Sequence, residues 1–197
     1  EIERINGRFY LYYTAGLGGF NQQRIGVADA DTPLGPFVDQ SFAAPLISEA
    51  AIDAECFVDE DELYLYYVRH EDDPFELSIW VRKLLDPLTP DPASTPVLCI
   101  EPTLGWEAAV TEGPTVIQRG DRYYMFYSAW GASSPNYCVA VGVADHPLGP
   151  WVRQSEPYNP VLKRNDAIEL WGPGHGHNVI GPDGISDWYI YHHKMNP

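Results

Sequence analysis

A chain of 197 residues carries 28 acidic and 12 basic side chains, a formal net charge of −16. No basic stripe is present to meet a phosphate backbone or an anionic bilayer, which argues against nucleic acid and membrane surfaces as partners. A hydrophobic content of 45% with 13% aromatic fits a folded core, while 17 glycines and 18 prolines imply many turns and short strands rather than long helices.

In chain order, the first strong strand signal is RFYLYY at 8–13, after the polar, turn-like ERINGR. IGVADADTPLGPFV at 25–38 reads as a small-residue strand, a Pro/Gly break and a resumed strand. A solvated acidic turn, DEDE at 59–62, leads into ELYLYY at 62–67, and SIWVRKL at 78–84 is a further strand. LLDPLTPDPASTP at 84–96 holds too many prolines for a helix. RYYMFY at 122–127 follows QRGDR, VGVADHPLGPWV at 141–152 resembles the segment at 25–38, and DWYIYH at 187–192 follows GPDGISD. No run of ~18 apolar residues, the length of a membrane span, interrupts this series. Cys56, Cys99 and Cys138 are odd in number and lack metal-ligand spacing, so no disulfide framework is expected. GLGG at 16–19 precedes no predicted helix, so it does not read as a phosphate cradle.

The four aromatic strands recur at steps of 54, 60 and 65 residues. Repeats of roughly 40–50 residues with several strands each mark propeller blades. The expected fold is therefore all-β, a β-propeller, with blades at about 1–47, 48–105, 106–163 and an incomplete 164–197 in one partial domain. A meandering β-sandwich is the alternative, because short strands with regular turns suit both. The repeated tyrosines are expected to form blade core, and exposed blade edges would favour self-association.

In a propeller the first strand of each blade lines the axis, so equivalent positions converge at one rim. Glu1, Asp53, Glu112 and His175 stand nine to fourteen residues upstream of the four aromatic strands' tyrosines. Carboxyls gathered in a partly apolar pocket repel one another, so that one stays neutral and another ionised. Glycosidic cleavage needs that division of labour. The alternative is that Asp53 and Glu112 cap turns or pair with arginine.

NGRFYLYYTA with RIGVADADTPLGPF, then IDAECFVDEDELYLYY, TEGPTVIQRGDRYYMFYSAW and GPGHGHNVIGPDGISDWYIYHH together resemble glycoside hydrolase family 43. These are inverting, five-bladed propeller enzymes acting on arabinose- and xylose-containing polysaccharides, and the segments match blades two to four and the start of blade five. The resemblance implies that Glu112, in TEGP, is the general acid that protonates the leaving oxygen. Asp53, in IDAECF, would orient that acid and tune its pKa, with Ala54 where the family often has proline. The family's base is an Asp on the first blade, upstream of Glu1, so the chain is expected to lack it, along with the strands that close the ring. A non-catalytic carbohydrate-binding or assembly fragment is the alternative reading. A related group acting on fructosides fits less well, because the acid here stands in EGP rather than Glu-Cys-Pro.

Glu1, Trp130, Trp171 and His175 are the expected substrate-binding residues: indole faces stack on pentose rings, and Glu1 holds the equivalent rim position. His175 and His177 are two apart and would share a strand face. In the family the histidine matched by His175 reaches a bound Ca2+ through water. No cofactor is required for the chemistry itself, and zinc is not expected. A hydrogen-bonded pocket histidine is the other reading of His175. His192 and His193 point to opposite faces and are assigned only packing.

Overall fold

A computed structural model of the chain describes residues 1–72, 75–155 and 157–196. Residues Glu1–Cys99 form one compact unit and those from Ile100 onward another. Regular structure among the described residues is all strand, apart from single 3-10 turns at Phe20–Gln22 and Asp166–Ile168. No helix there is long and apolar enough to cross a membrane.

In the first unit, β1 (Ile2–Ile5), β2 (Arg8–Ala15), β3 (Arg24–Ala30) and β4 (Val38–Asp39) form an antiparallel meander. Asn6 and Gly7 join β1 to β2 with φ of +51° and +84°. Two successive left-handed residues give a turn whose twist matches that of the strands, which is why Asn-Gly closes this hairpin. The second sheet runs β5 (Ala51–Asp59), β6 (Glu62–Asp72), β7 (Phe75–Asp86) and β8 (Thr89–Pro90), with β9 (Val97–Ile100) also paired to β7. Its central strand β6 is buried without a break from Leu63 to Val68, so no alternation survives there and both faces are covered. Ile5, Tyr12, Ile25, Leu46, Ala51, Leu65 and Tyr67 build the core shared by the two sheets.

In the second unit, β10 (Thr111–Arg119), β11 (Arg122–Ala129), β12 (Cys138–Ala144) and β13 (Val152–Arg153) repeat the meander, and β14 (Trp171–Ile180) pairs with β15 (Asp187–Lys194). The two PLGP segments behave alike: Gly35 and Gly149 have φ of +78° and +89°, and each is followed by a two-residue edge strand.

Each aromatic segment is the second strand of its sheet. Tyr12, Tyr64, Tyr66, Tyr67 and Tyr127 are core residues, as expected of blade packing. The fourth segment departs from that expectation. In β15, Trp188, Ile190 and Tyr191 are exposed. β14 and β15 pair only with each other among the described residues, so this sheet is narrower than the other three.

Candidate active site

Three of the four rim residues singled out in the sequence sit at the same backbone irregularity. In β10 the ladder pairs Glu112 with Ser128 and then Thr115 with Phe126, so three steps on one strand oppose two on the other. In β5 the pairs are Ile52 with Val68 and Glu55 with Tyr66, and in β14 Gly174 with His192 and His177 with Ile190. Each is a β-bulge, which turns a side chain out of the regular alternation and recurs beside active sites. The left-handed residue differs: Asp53 itself at φ +54°, Gly113 at +55° and His175 at +48°. Aspartate and histidine are among the few side chains that enter this region readily. The bulge also breaks the rule that residues two apart share a strand face. His175 turns to Tyr137, whereas His177 Nδ1 lies 3.2 Å from Thr115 Oγ1.

Glu112 is the most enclosed of the proposed catalytic side chains, with 8% exposure. The hydroxyl of the fully buried Tyr137 donates to its Oε1 at 2.7 Å and stands 3.3 Å from His175 Nδ1. The backbone N–H of His175 donates to Ser128 Oγ at 2.8 Å, tying β14 to the residue opposite Glu112. Two glycines make this closeness possible. A Cβ on Gly113 would lie 3.2 Å from His175 Nδ1, and one on Gly174 would lie 2.2 Å from the Tyr137 ring. The His192 ring lies alongside Tyr137 and His175 at centroid distances of 6.1 and 6.3 Å. Partial burial, and then the neighbouring His175, Lys194 and His193, hold the His192 pKa below its ordinary value. His192 is thus part of the Glu112 surroundings rather than a packing residue alone.

The structure therefore brings Glu112 and His175 together inside the second unit. Asp53 and Glu1 belong to the first. The Asp53 backbone N–H donates to Thr14 Oγ1 at 3.3 Å. Glu1 continues the β1–β2 hairpin through two hydrogen bonds with Tyr12, and its carboxylate accepts the Cys56 N–H at 2.9 Å. Burial drives the Glu1 carboxyl pKa up to about 8, against the lowering pull of the Cys56 hydrogen bond. Trp130, at φ +69°, lines a 240 Å³ cavity with Trp106, Asn136, Cys138, Pro160, Lys163 and Arg164, a lining that includes neither Glu112 nor His175. The Trp171 indole N–H donates to Asp166 Oδ1 at 2.8 Å, so this donor already has a protein partner.

Nothing in the sequence singled out Tyr137 or Ser128. Tyr137 lies outside the aromatic repeat, one residue before β12, and no motif marks it. The GPGHG spacing did mark Gly174, but only as part of a family signature. For calcium, which takes six to eight oxygens, the His175 side chain itself offers only ring nitrogens, so an ion beside it would be held through water and other groups.

The model of the glycosyl hydrolases family 43 matches residues 1–197. An extracellular exo-alpha-(1->5)-L-arabinofuranosidase of Streptomyces avermitilis is 30% identical over 98% of the chain, which spans 42% of that relative's length. Among solved structures, a thermostable family-43 glycoside hydrolase is 33% identical with a TM-score of 0.87, over 99% of this chain and 65% of that one. An endo-1,4-beta-xylanase of Bacteroides thetaiotaomicron is 35% identical with a TM-score of 0.86, over 100% of this chain and 65% of that one. The all-β propeller expected from the repeat is the fold class these likenesses support.

Proposed function

The chain belongs to glycosyl hydrolase family 43, and from that membership we propose that the protein hydrolyses the glycosidic bonds of arabinose- or xylose-containing oligo- and polysaccharides with inversion. Glu112 is the general acid. Its proton passes to the glycosidic oxygen as the bond to the anomeric carbon breaks, with the bonding electron pair leaving on that oxygen. Water adds to the anomeric carbon and gives up a proton to a carboxylate base, a role that none of the residues matched here fills. Asp53 orients the acid and tunes its pKa, as the family pattern implies. Pentose binding falls to the aromatic and polar groups of the rim, with Glu1, Trp130, Trp171 and His175 as candidates. The chemistry as proposed routes no step through calcium.

The observation that carries this reading is the Glu112 carboxyl, buried at a bulge and hydrogen-bonded by a buried phenol. A carboxyl buried and held by a hydrogen bond has a fixed orientation, which a general acid needs to deliver its proton. The test is Glu112→Gln in the full-length protein, assayed on arabino- and xylo-oligosaccharides. Turnover is expected to fall by about 10²–10⁴-fold, the usual worth of a general acid, with folding unchanged. Unaltered turnover by this variant overturns the assignment. Sugar binding by the wild type without any hydrolysis favours the non-catalytic reading instead.

A further inference from the structure

We propose that Tyr137 is the positioning residue of the acid: its hydroxyl holds the Glu112 carboxyl in the orientation from which it protonates the leaving oxygen. This rests on the reading of Glu112 as acid.

A glutamate side chain has three rotatable bonds, and a misplaced reacting group can cost orders of magnitude in rate. Something must therefore fix the carboxyl of Glu112, and the fold supplies a rigid phenol. Tyr137 is fully buried, and its hydroxyl lies 2.7 Å from Glu112 Oε1. The ring has little freedom to move. On one side it lies so close to Gly174 that an added Cβ would come within 2.2 Å, and the His192 imidazole lies nearly parallel to it at 6.1 Å. Its backbone is held by the turn before β12, where the Tyr137 N–H donates to the Ser134 carbonyl at 3.3 Å.

A phenol that donates to one carboxyl oxygen suits both states of the acid. While Glu112 keeps its proton on Oε2, the Tyr137 O–H donates to Oε1, 2.7 Å away, so the acidic proton points away from the phenol and toward the leaving oxygen. Once the proton has passed to the leaving oxygen, the Tyr137 O–H donates to the new carboxylate. The carboxyl thus stays anchored through the transfer, and no proton is gained or lost by Tyr137.

The test compares two aryl glycosides of the pentose that the full-length wild type hydrolyses. A 2,4-dinitrophenyl group departs without protonation, whereas a phenyl group needs it. Tyr137→Phe keeps the ring and its packing and removes only the hydroxyl. It is expected to lower kcat on the phenyl glycoside by about tenfold with KM unchanged, and on the dinitrophenyl glycoside by less than about twofold. Gly174→Ala, which displaces the ring but keeps the hydroxyl, should show the same dependence on leaving group. An equal loss on both substrates, or no loss on either, overturns the positioning role. If Glu112→Gln itself loses nothing on the phenyl glycoside, the acid assignment fails and the role of Tyr137 fails with it. If Glu112→Gln shows the expected loss and Tyr137→Phe matches the wild type, only the present inference falls.

Discussion

The approaches to β5 and β10 reach the same bulge by different means. In the first unit, neutral groups hold the segment before β5. Leu46 N–H donates to the Ile25 carbonyl at 2.8 Å and Ala51 N–H to the Gln23 carbonyl at 3.1 Å, and the Ser41 hydroxyl accepts the Val27 N–H at 2.9 Å. In the second unit, a buried charge holds the segment before β10. Glu107 has a fully buried side chain and accepts from the Thr103 and Leu104 N–H groups, the Tyr127 hydroxyl and the Arg153 guanidinium at 2.8–3.0 Å. Arg153 also reaches the Glu101 carbonyl and Thr103 Oγ1. A neutral ladder tolerates the loss of one bond, whereas a buried ion depends on every partner that offsets its desolvation. The strand bearing the proposed acid therefore hangs on charged contacts centred on one buried side chain, whereas the strand bearing its proposed modulator hangs on neutral ones.

The sharpest way to break this comparison is Arg153→Met. Leaving Glu107 buried without its cation should cost about 3–5 kcal/mol, read by chemical unfolding. Hydrogen exchange should place the loss in residues 101–130. Ser41→Ala, the corresponding cut in the first unit, should cost only about 0.5–1.5 kcal/mol. Equal effects of the two would erase the distinction.

Gly113→Ala tests the bulge itself. Gly113 carries the left-handed backbone that Asp53 carries in β5, and an added Cβ would press on the His175 ring at 3.2 Å. The substitution should destabilise by about 1–2 kcal/mol from backbone strain alone. It should also displace His175, visible as a changed imidazole resonance in NMR spectra. An unchanged melting temperature together with unchanged histidine signals would refute this account.

The smallest effect concerns the β14–β15 turn. The exposed Asp183 carboxylate accepts the Ile185 and Ser186 N–H groups at 3.0 and 2.9 Å and the Ser186 hydroxyl at 2.5 Å. The Ser186 hydroxyl first, and then the two N–H groups, bring its pKa down from 3.8 to about 2. A carboxyl depressed in the folded state stabilises it above the ordinary value, and that contribution fades as pH falls toward 2. The Ile185 and Ser186 amide resonances should therefore titrate with a midpoint near 2. A midpoint at 3.8, the ordinary value, would show that the turn does not hold the carboxylate.

Much of the fold was legible because strand signals are local. The four aromatic segments, the Asn-Gly turn and the paired PLGP breaks needed no partner to be read. The burial of those segments was legible only in part. β15 has the same aromatic pattern as β2, β6 and β11, yet exposes Trp188 and Ile190, because burial depends on what covers a strand and not on the strand. The rim residues were found by their spacing from the aromatic strands, but the bulges beneath them were not. One extra residue in a ladder is a relation between two strands and leaves no periodicity in either. The Trp171 indole N–H meets Asp166, five residues upstream across a turn, a pairing that no motif announces.

By itself the order of residues determined that this chain folds as short antiparallel strands and sets a carboxyl or an imidazole before each aromatic one. Composition, turn chemistry and alternation act over a few residues and leave their mark in any window. Only the tertiary structure decided that Tyr137 anchors Glu112, that glycines 113 and 174 clear the space for it, and that Glu107 and Arg153 hold the segment before the acid. These pairings join groups 25 to 62 residues apart. Their energy depends on distance in space, burial and the absence of a single Cβ, none of which is written in any one stretch of sequence.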